Sequence, residues 1–244
     1  AQERRMQEFA FAHEIQESFL PQTLPRFANL SFAAAYRPAE TVGGDFYDVL
    51  VLNPDEIYFV IGDVSGKGVP AALLMAQALS ILRLIVKPGT SPATVVARWN
   101  EMISGRTIRG MFITALVGRM VCSARTVEFC SAGHCHPMRV QRDGGVRDVT
   151  IAGSPPLALL PQLSGNSHTI QLEPGEWFIL FTDGLTESFN ADRVALDRDG
   201  VHALLARRFE NAGDVVSALQ SGESRHRGDS VPHDDLTVLV CGFQ

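Results

Sequence analysis

The chain reads as an α+β domain built in layers, not as a doubly wound βαβ unit. Three observations carry that reading. Short apolar runs of strand character recur from residue 28 to the end, and helical stretches interrupt them in pairs rather than one for one. No internal repeat or low-complexity tract divides the 244 residues, a length that suits one large domain. Glycine, proline and asparagine clusters punctuate the runs at hairpin and helix-end spacings.

The elements follow in order. Residues 1–20 contain neither glycine nor proline and place Met6, Phe9, Ala12, Ile15, Phe19 and Leu20 near helical spacing; Pro21 and Pro25 end the run. This predicts an entry helix and linker over 1–24, either packed on its own domain or carrying a signal or a dimer contact from an upstream module. The main domain then occupies 25–244. Ala28–Tyr36, Asp45–Leu52 and Ile57–Ile61 read as strands, with Asn53-Pro54-Asp55 as the turn between the last two. Pro70 suits the first turn of a helix over Ala71–Val86, whose alanines and leucines predict burial on both sides, and Pro92–Ser104 reads as a second helix. Phe112–Val121, Thr126–Cys130 and His136–Arg142 form a meander, with Asp143-Gly144-Gly145 as a tight turn. Trp177–Thr182 and Leu236–Cys241 are strongly apolar strands, with helices expected near Val201–Phe209 and Gly213–Leu219.

Composition narrows the function. With 45% hydrophobic and 20% charged residues the chain is an ordinary folded protein. Its net charge is −6 and its basic residues are dispersed, which argues against nucleic-acid binding. No apolar run is long enough to span a bilayer, so no membrane contact is expected from this stretch. The cysteines Cys122, Cys130, Cys135 and Cys241 contain no Cys-x-x-Cys pair and are expected to be reduced, as in a cytoplasmic protein.

The strongest signal is acidic. Asp45, Asp63, Asp183 and Asp234 each lie in a small-residue loop beside an apolar run: Val-Gly-Gly-Asp-Phe, Ile-Gly-Asp-Val-Ser-Gly, Phe-Thr-Asp-Gly and His-Asp-Asp-Leu-Thr. Carboxylates at strand ends, with glycines that let backbone come close, suit an oxygen cage for hard divalent ions. An isolated Asp-Gly is usually just a turn; four such contexts together are not.

These residues resemble the metal-dependent PPM-type (protein phosphatase 2C-like) serine/threonine phosphatases, in the bacterial branch typified by SpoIIE and RsbU. The resemblance runs through Glu14-Ile15-Gln16-Glu17-Ser18-Phe19-Leu20-Pro21, Val42-Gly43-Gly44-Asp45-Phe46-Tyr47-Asp48 and Gly62-Asp63-Val64-Ser65-Gly66-Lys67-Gly68-Val69-Pro70-Ala71-Ala72. It continues through Ala132-Gly133-His134, Thr182-Asp183-Gly184 and Asp234-Asp235-Leu236-Thr237. The order and spacing match over nearly the whole chain. Two departures, Ser131 where the family usually has Asn and Ala158 where it usually has Gly, touch substrate loops rather than the acidic set.

The resemblance implies a four-layer α-β-β-α sandwich of two antiparallel sheets flanked by helices, with two Mn²⁺ or Mg²⁺ ions at one end. It implies a signal-transduction hydrolase acting on phosphoserine or phosphothreonine of a STAS-type anti-anti-sigma protein in a partner-switching circuit. Asp63 would bridge the two ions with the Val64 carbonyl as an added ligand. Asp183 and Asp234 would complete the first ion's shell, and Asp45 would serve the second. Asp235 beside Asp234 is also eligible; the family's final motif favours Asp234. Asp63 and Asp183 are thereby catalytic, and His134 is a minority candidate for proton donation to the leaving oxygen. Asp48 reads as structural, His233 as incidental, and Lys67 as an aid to phosphate steering. The helix after Pro70 starts at the Asp63 loop, so it suits a regulatory switch as well as a core helix. The rival function is a pseudo-phosphatase that keeps the fold and sequesters a partner, and a hydrolase of small phosphate esters is a weaker third.

Overall fold

The computed structural model describes residues 2–105 and 110–244, without the side chains of 2–6 and 9. Its elements run α1 (Gln2–Phe19), β1 (Leu30–Arg37), β2 (Phe46–Asn53), β3 (Glu56–Val64), α2 (Val69–Ile85), α3 (Pro92–Ile103), β4 (Ile113–Val121) and β5 (Thr126–Ala132). Then follow β6 (Met138–Val140), β7 (Val146–Asp148), β8 (His168–Gln171), β9 (Trp177–Phe181), α4 (Asp183–Thr186), α5 (Asp197–Leu205), α6 (Ala212–Arg227) and β10 (Leu236–Phe243). Two five-stranded antiparallel sheets result, ordered β1-β10-β9-β6-β7 and β2-β3-β4-β5-β8.

Strand parity builds the layers. Side chains alternate faces along a strand, so β9 sends Trp177, Ile179 and Phe181 outward to α5 and α6, and Phe178 and Leu180 inward. On β3, Tyr58, Val60 and Val64 face α2 and α3, while Ile57, Phe59 and Ile61 face the opposite sheet. The inner core adds Leu116, Phe129, Leu239 and Cys241, with Phe178 between Phe59 and Phe129 at ring separations of 6.4 and 5.2 Å. Three apolar cores thus separate four layers, as a sandwich of two sheets and two helical layers requires.

Several sequence expectations shift. Helix α5 starts earlier than expected, at Asp197, because the Asp197 carboxylate accepts from Gly200 N at 2.9 Å and turns an apparent loop into a helix start. Helix α6 runs to Arg227, well past Leu219; Asn211 caps it by accepting from Asp214 N, and its polar second half packs through Gly222 against Leu204. Strands β7 and β8 and helix α4 are too short to carry a period. Helix α2 buries one face only, leaving Leu73 and Leu84 each 67% exposed. Of the apolar stripe expected over residues 1–20, Phe19 at the end of α1 and Leu20 just after it pack on the core beneath α2 and α3, whereas Phe11 and Ile15 are exposed and the polar Gln16 is buried; Met6 and Phe9 lie outside the described side chains.

A buried ion cluster fastens α6 to the sheet. Glu223, with no exposed side-chain surface, accepts both Arg37 guanidinium nitrogens at 2.8 and 2.9 Å, the Ser188 hydroxyl at 2.8 Å and Arg227 Nε at 3.0 Å. Burial alone raises the carboxyl pKa, but the Arg37 and Ser188 bonds outweigh it and hold the pKa below the ordinary value. Removing one partner of a buried charged network leaves the others uncompensated. Glu223→Ala is expected to lose about 3–5 kcal/mol, read as a lower melting temperature in thermal denaturation. A change within experimental scatter contradicts this.

Candidate metal centre

The parity that fills the inner core also aims the acids. Phe46 pairs with Gly62, so Asp45 and Asp63 stand side by side at the adjacent register position, on the inward side. Phe181 pairs with Val238, which sets Thr182 opposite Thr237 on the inward side of the other sheet. The two pairs meet across the end of the sandwich. Thr182 Oγ1 and Thr237 Oγ1 both donate to Asp45 Oδ2, at 2.7 and 2.6 Å, and Thr237 N donates to Thr182 Oγ1 at 3.0 Å. Asp45 is therefore held across the gap between sheets, fully buried, with neutral hydroxyls as donors.

Glycines make the close approach possible, each differently. A Cβ on Gly62 would stand 2.3 Å from the Phe46 ring, so this glycine supplies room for that ring, while Gly66, at φ +96°, supplies the turn. A Cβ on Gly44 would lie 2.7 Å from the Val64 carbonyl oxygen and 3.3 Å from Asp63 Oδ1. Those two oxygens, both expected ligands, thus face the Gly44 backbone. Asp183 opens α4, and Asp234 lies just before β10 with Lys67 Nζ 3.5 Å from its Oδ1. Lys67 also donates to the His233 carbonyl at 2.5 Å.

Crowding of like charge shows in the titration of these groups. Burial, then the Asp183, Asp234 and Asp235 charges, push Asp63 up to about 7, partly offset by a hydrogen bond with Asp45. Burial, then the Asp63 charge, raise Asp45 well above its usual range. Asp183 is raised by burial, then by Glu187 and Asp234. The acids are neighbours rather than a closed cage: among the described residues, no three His, Cys, Asp or Glu side chains stand close enough to hold an ion as they are. The donor set nevertheless fits a hard divalent cation, because it is all oxygen, and added positive charge would relieve the repulsion that raises these pKa values.

The remaining candidates separate. His134 is buried, its Nδ1 is 3.1 Å from Thr114 Oγ1, and burial drops its pKa to about 4. A neutral, enclosed imidazole favours packing over proton delivery. Asp48 forms a 2.7 Å ion pair with Arg83 of α2, and Arg83 Nη2 donates to the Phe19 carbonyl at 2.6 Å. His233 rests edge-on against Phe189. All four cysteines are free.

Sequence reasoning missed Thr182 and Thr237 as partners of Asp45, although their inward parity beside apolar strands was a usable signal. It also assigned no role to Gln16. From α1, Gln16 Nε2 donates to the Gly43 carbonyl at 2.5 Å and its Oε1 accepts from Gly43 N at 3.0 Å. No periodicity marks such a residue.

A carboxyl whose pKa folding raises stabilises the protein while protonated; that contribution is full below the unfolded value and is lost as pH rises through the folded one. For Asp63 the window runs from 3.8 to about 7. In EDTA near pH 8, Asp63→Asn is therefore expected to melt higher than the wild type, with the gap narrowing as pH falls below about 7 and closing only near the unfolded value of 3.8. Saturating Mn²⁺ should reverse the order, and a gap independent of pH contradicts the assignment.

The comparisons agree with this architecture. The family described as Stage II sporulation protein E (SpoIIE) matches residues 53–244. Protein IcfG of Synechocystis is 25% identical over 93% of this chain, and phosphoserine phosphatase RsbU of Bacillus subtilis 26% over 96%. The chain spans 40% of IcfG and 69% of RsbU. The SiaA-PP2C domain of Pseudomonas aeruginosa superposes with a TM-score of 0.87 at 20% identity, covering 100% of this chain and 99% of that one. The SpoIIE phosphatase domain of Bacillus subtilis, solved with a fragment of its regulatory domain, gives 0.76 at 20% identity over 89% of this chain and 64% of that one. With the match spanning β3 to the last residue, the chain belongs to the SpoIIE family of PPM-type phosphatases.

Proposed function

We propose that this chain is a metal-dependent phosphoprotein phosphatase that removes phosphate from serine or threonine of a STAS-type regulatory protein. The observation that carries the reading is the meeting of four acidic loops at one end of the sandwich, with Asp45 and Asp63 side by side. Two Mn²⁺ or Mg²⁺ ions would be held there by Asp45, Asp63, the Val64 carbonyl, Asp183 and Asp234. When bound they supply a hydroxide at neutral pH and neutralise charge on the phosphoryl oxygens.

The chain's own residues do the rest. Asp63 hydrogen-bonds with Asp45 and feels the charges of Asp183 and Asp234, which supports a central place for it among the residues that would hold the ions. Thr182 and Thr237 occupy Asp45 Oδ2 and so orient that carboxylate. Lys67, beside Asp234 at the rim and half exposed, is suited to meet an arriving phosphate. The regulatory reading of α1 rests on the Gln16 bonds to Gly43 and on its exposed Phe11 and Ile15, which suit contact with a second copy. Among the described residues no helix is long and apolar enough to cross a membrane, which is compatible with a cytoplasmic setting.

The protein substrate is favoured by RsbU and RsbP, both named phosphoserine phosphatases. A further structural neighbour joins an RsbU domain to an RsbW domain in one Mycobacterium tuberculosis protein. The test is phosphate release from a phosphorylated STAS protein, from nucleotides and from a chromogenic aryl phosphate, with Mn²⁺ or with EDTA. Turnover is expected to need metal, to favour the phosphoprotein, and to fall roughly 10²–10³-fold or more in Asp63→Ala and Asp183→Ala. Undiminished turnover in EDTA overturns the mechanism. No turnover with tight capture of the unphosphorylated partner favours a pseudo-phosphatase.

A further inference from the structure

The carboxylate of Asp235 is used in a way the acidic motif does not announce. It is nearly buried, and among the described residues no Lys, Arg or His forms an ion pair with it. Its partners are backbone amides: Oδ2 accepts from Gly44 N at 2.7 Å and lies 3.5 Å from Asp45 N, while Oδ1 accepts from Ala39 N at 2.8 Å. Amide bonds to a carboxylate are stronger than neutral ones.

The surroundings are shaped around this contact. A Cβ on Gly43 would stand 2.2 Å from Asp235 Oδ2, and its three nearest atoms all belong to the Asp235 carboxylate. A Cβ on Gly184 would lie 1.8 Å from the Asp235 carbonyl oxygen. The Asp235 amide donates to Asp234 Oδ1 at 3.0 Å. One residue therefore grips the Asp45 loop with its side chain, presses its backbone on the residue after Asp183, and adjoins Asp234. It does so at a cost, since its charge adds to the field that raises Asp63.

We propose that Asp235 is a positioning residue: it straps the Gly43–Gly44 backbone so that Asp45 stands ready for a divalent cation, without itself touching the ion. This rests on the metal-centre reading above. It gives the two adjacent acids different tasks, Asp234 facing the ion and Asp235 holding the loop. Gly43 is then small because a carboxylate occupies the space a methyl would need.

The experiment is a double-mutant cycle of Gly43→Ala and Asp235→Ala, with Asp235→Asn as the conservative variant and Asp234→Asn as the ligand control. Melting temperatures are measured in EDTA, and Mn²⁺ affinity and stoichiometry by calorimetry. In EDTA, Gly43→Ala is expected to lower the melting temperature in the Asp235 background and to add little once Asp235→Ala has cleared the space. Asp235→Ala should weaken Mn²⁺ binding about 10–100-fold without loss of a binding equivalent. Asp235→Asn, which keeps one acceptor oxygen, should recover part of that affinity, whereas Asp234→Asn loses an equivalent.

Additive melting shifts across the cycle overturn the strap, and this arm decides even if the wild type takes up no Mn²⁺. Loss of a Mn²⁺ equivalent in Asp235→Asn, as in Asp234→Asn, overturns it in favour of direct ligation. Failure of the wild type to bind Mn²⁺, with a non-additive cycle, instead removes the metal-centre reading and leaves the strap standing.

Discussion

The structure turns on one unfavourable arrangement, several carboxylates brought to the same end of a sandwich where burial and mutual repulsion oppose their ionisation. Some of their neighbours limit that cost. Thr182 and Thr237 reach from the other sheet to solvate Asp45 with hydroxyls, and Lys67 lies beside Asp234. A divalent cation would relieve the rest, so the repulsion among these acids and the metal-binding role proposed for them have one physical origin. The three apolar cores supply the rigidity against which such an arrangement persists.

Position in the fold couples the site to its surroundings. The acidic loops adjoin elements that lead away from it: α2 begins shortly after Asp63, α4 begins at Asp183, and β10 follows Asp234. Helix α1 touches the Asp45 loop through Gln16, while Arg83 of α2 bonds both Asp48 of β2 and the last carbonyl of α1. A movement of α1 or α2 against the sheet would therefore strain polar contacts within a few residues of Asp45. Hydrogen-bond networks, like packed side chains, are among the physical routes by which such coupling is carried.

Much of the fold was legible. Strands β3, β4, β9 and β10 combine apolar runs with clear boundaries, and their positions differ from expectation by a few residues at the ends. Helix α2 was found through Pro70, but its exposed Leu73 and Leu84 were not, because composition does not say which face a helix turns to its sheet. Helix α5 was expected only from Val201, because Asp197 to Gly200 has turn composition and its role as a helix start shows in the bond from Gly200 N to the Asp197 carboxylate. Of the candidate site, Asp45, Asp63 and Asp183 were visible through the glycines beside them, and Asp234 through its place just ahead of an apolar strand. Gln16, Thr182, Thr237 and the strap formed by Asp235 were not, since each acts through a partner far away in the chain.

By itself the sequence determined which residues are acids in loops, which runs alternate, and hence that Asp63 must share a face with Ile57, Phe59 and Ile61. Those are local facts, set by covalent order and the two-residue strand repeat. Tertiary structure alone decided that this face meets that of Thr182 and Thr237, and that of two adjacent aspartates one turns its carboxylate to Gly44 N while the other remains beside Lys67. The reason is that sheet-on-sheet packing brings together residues up to 192 positions apart. Hydrogen bonds at that separation leave no periodic trace in the chain.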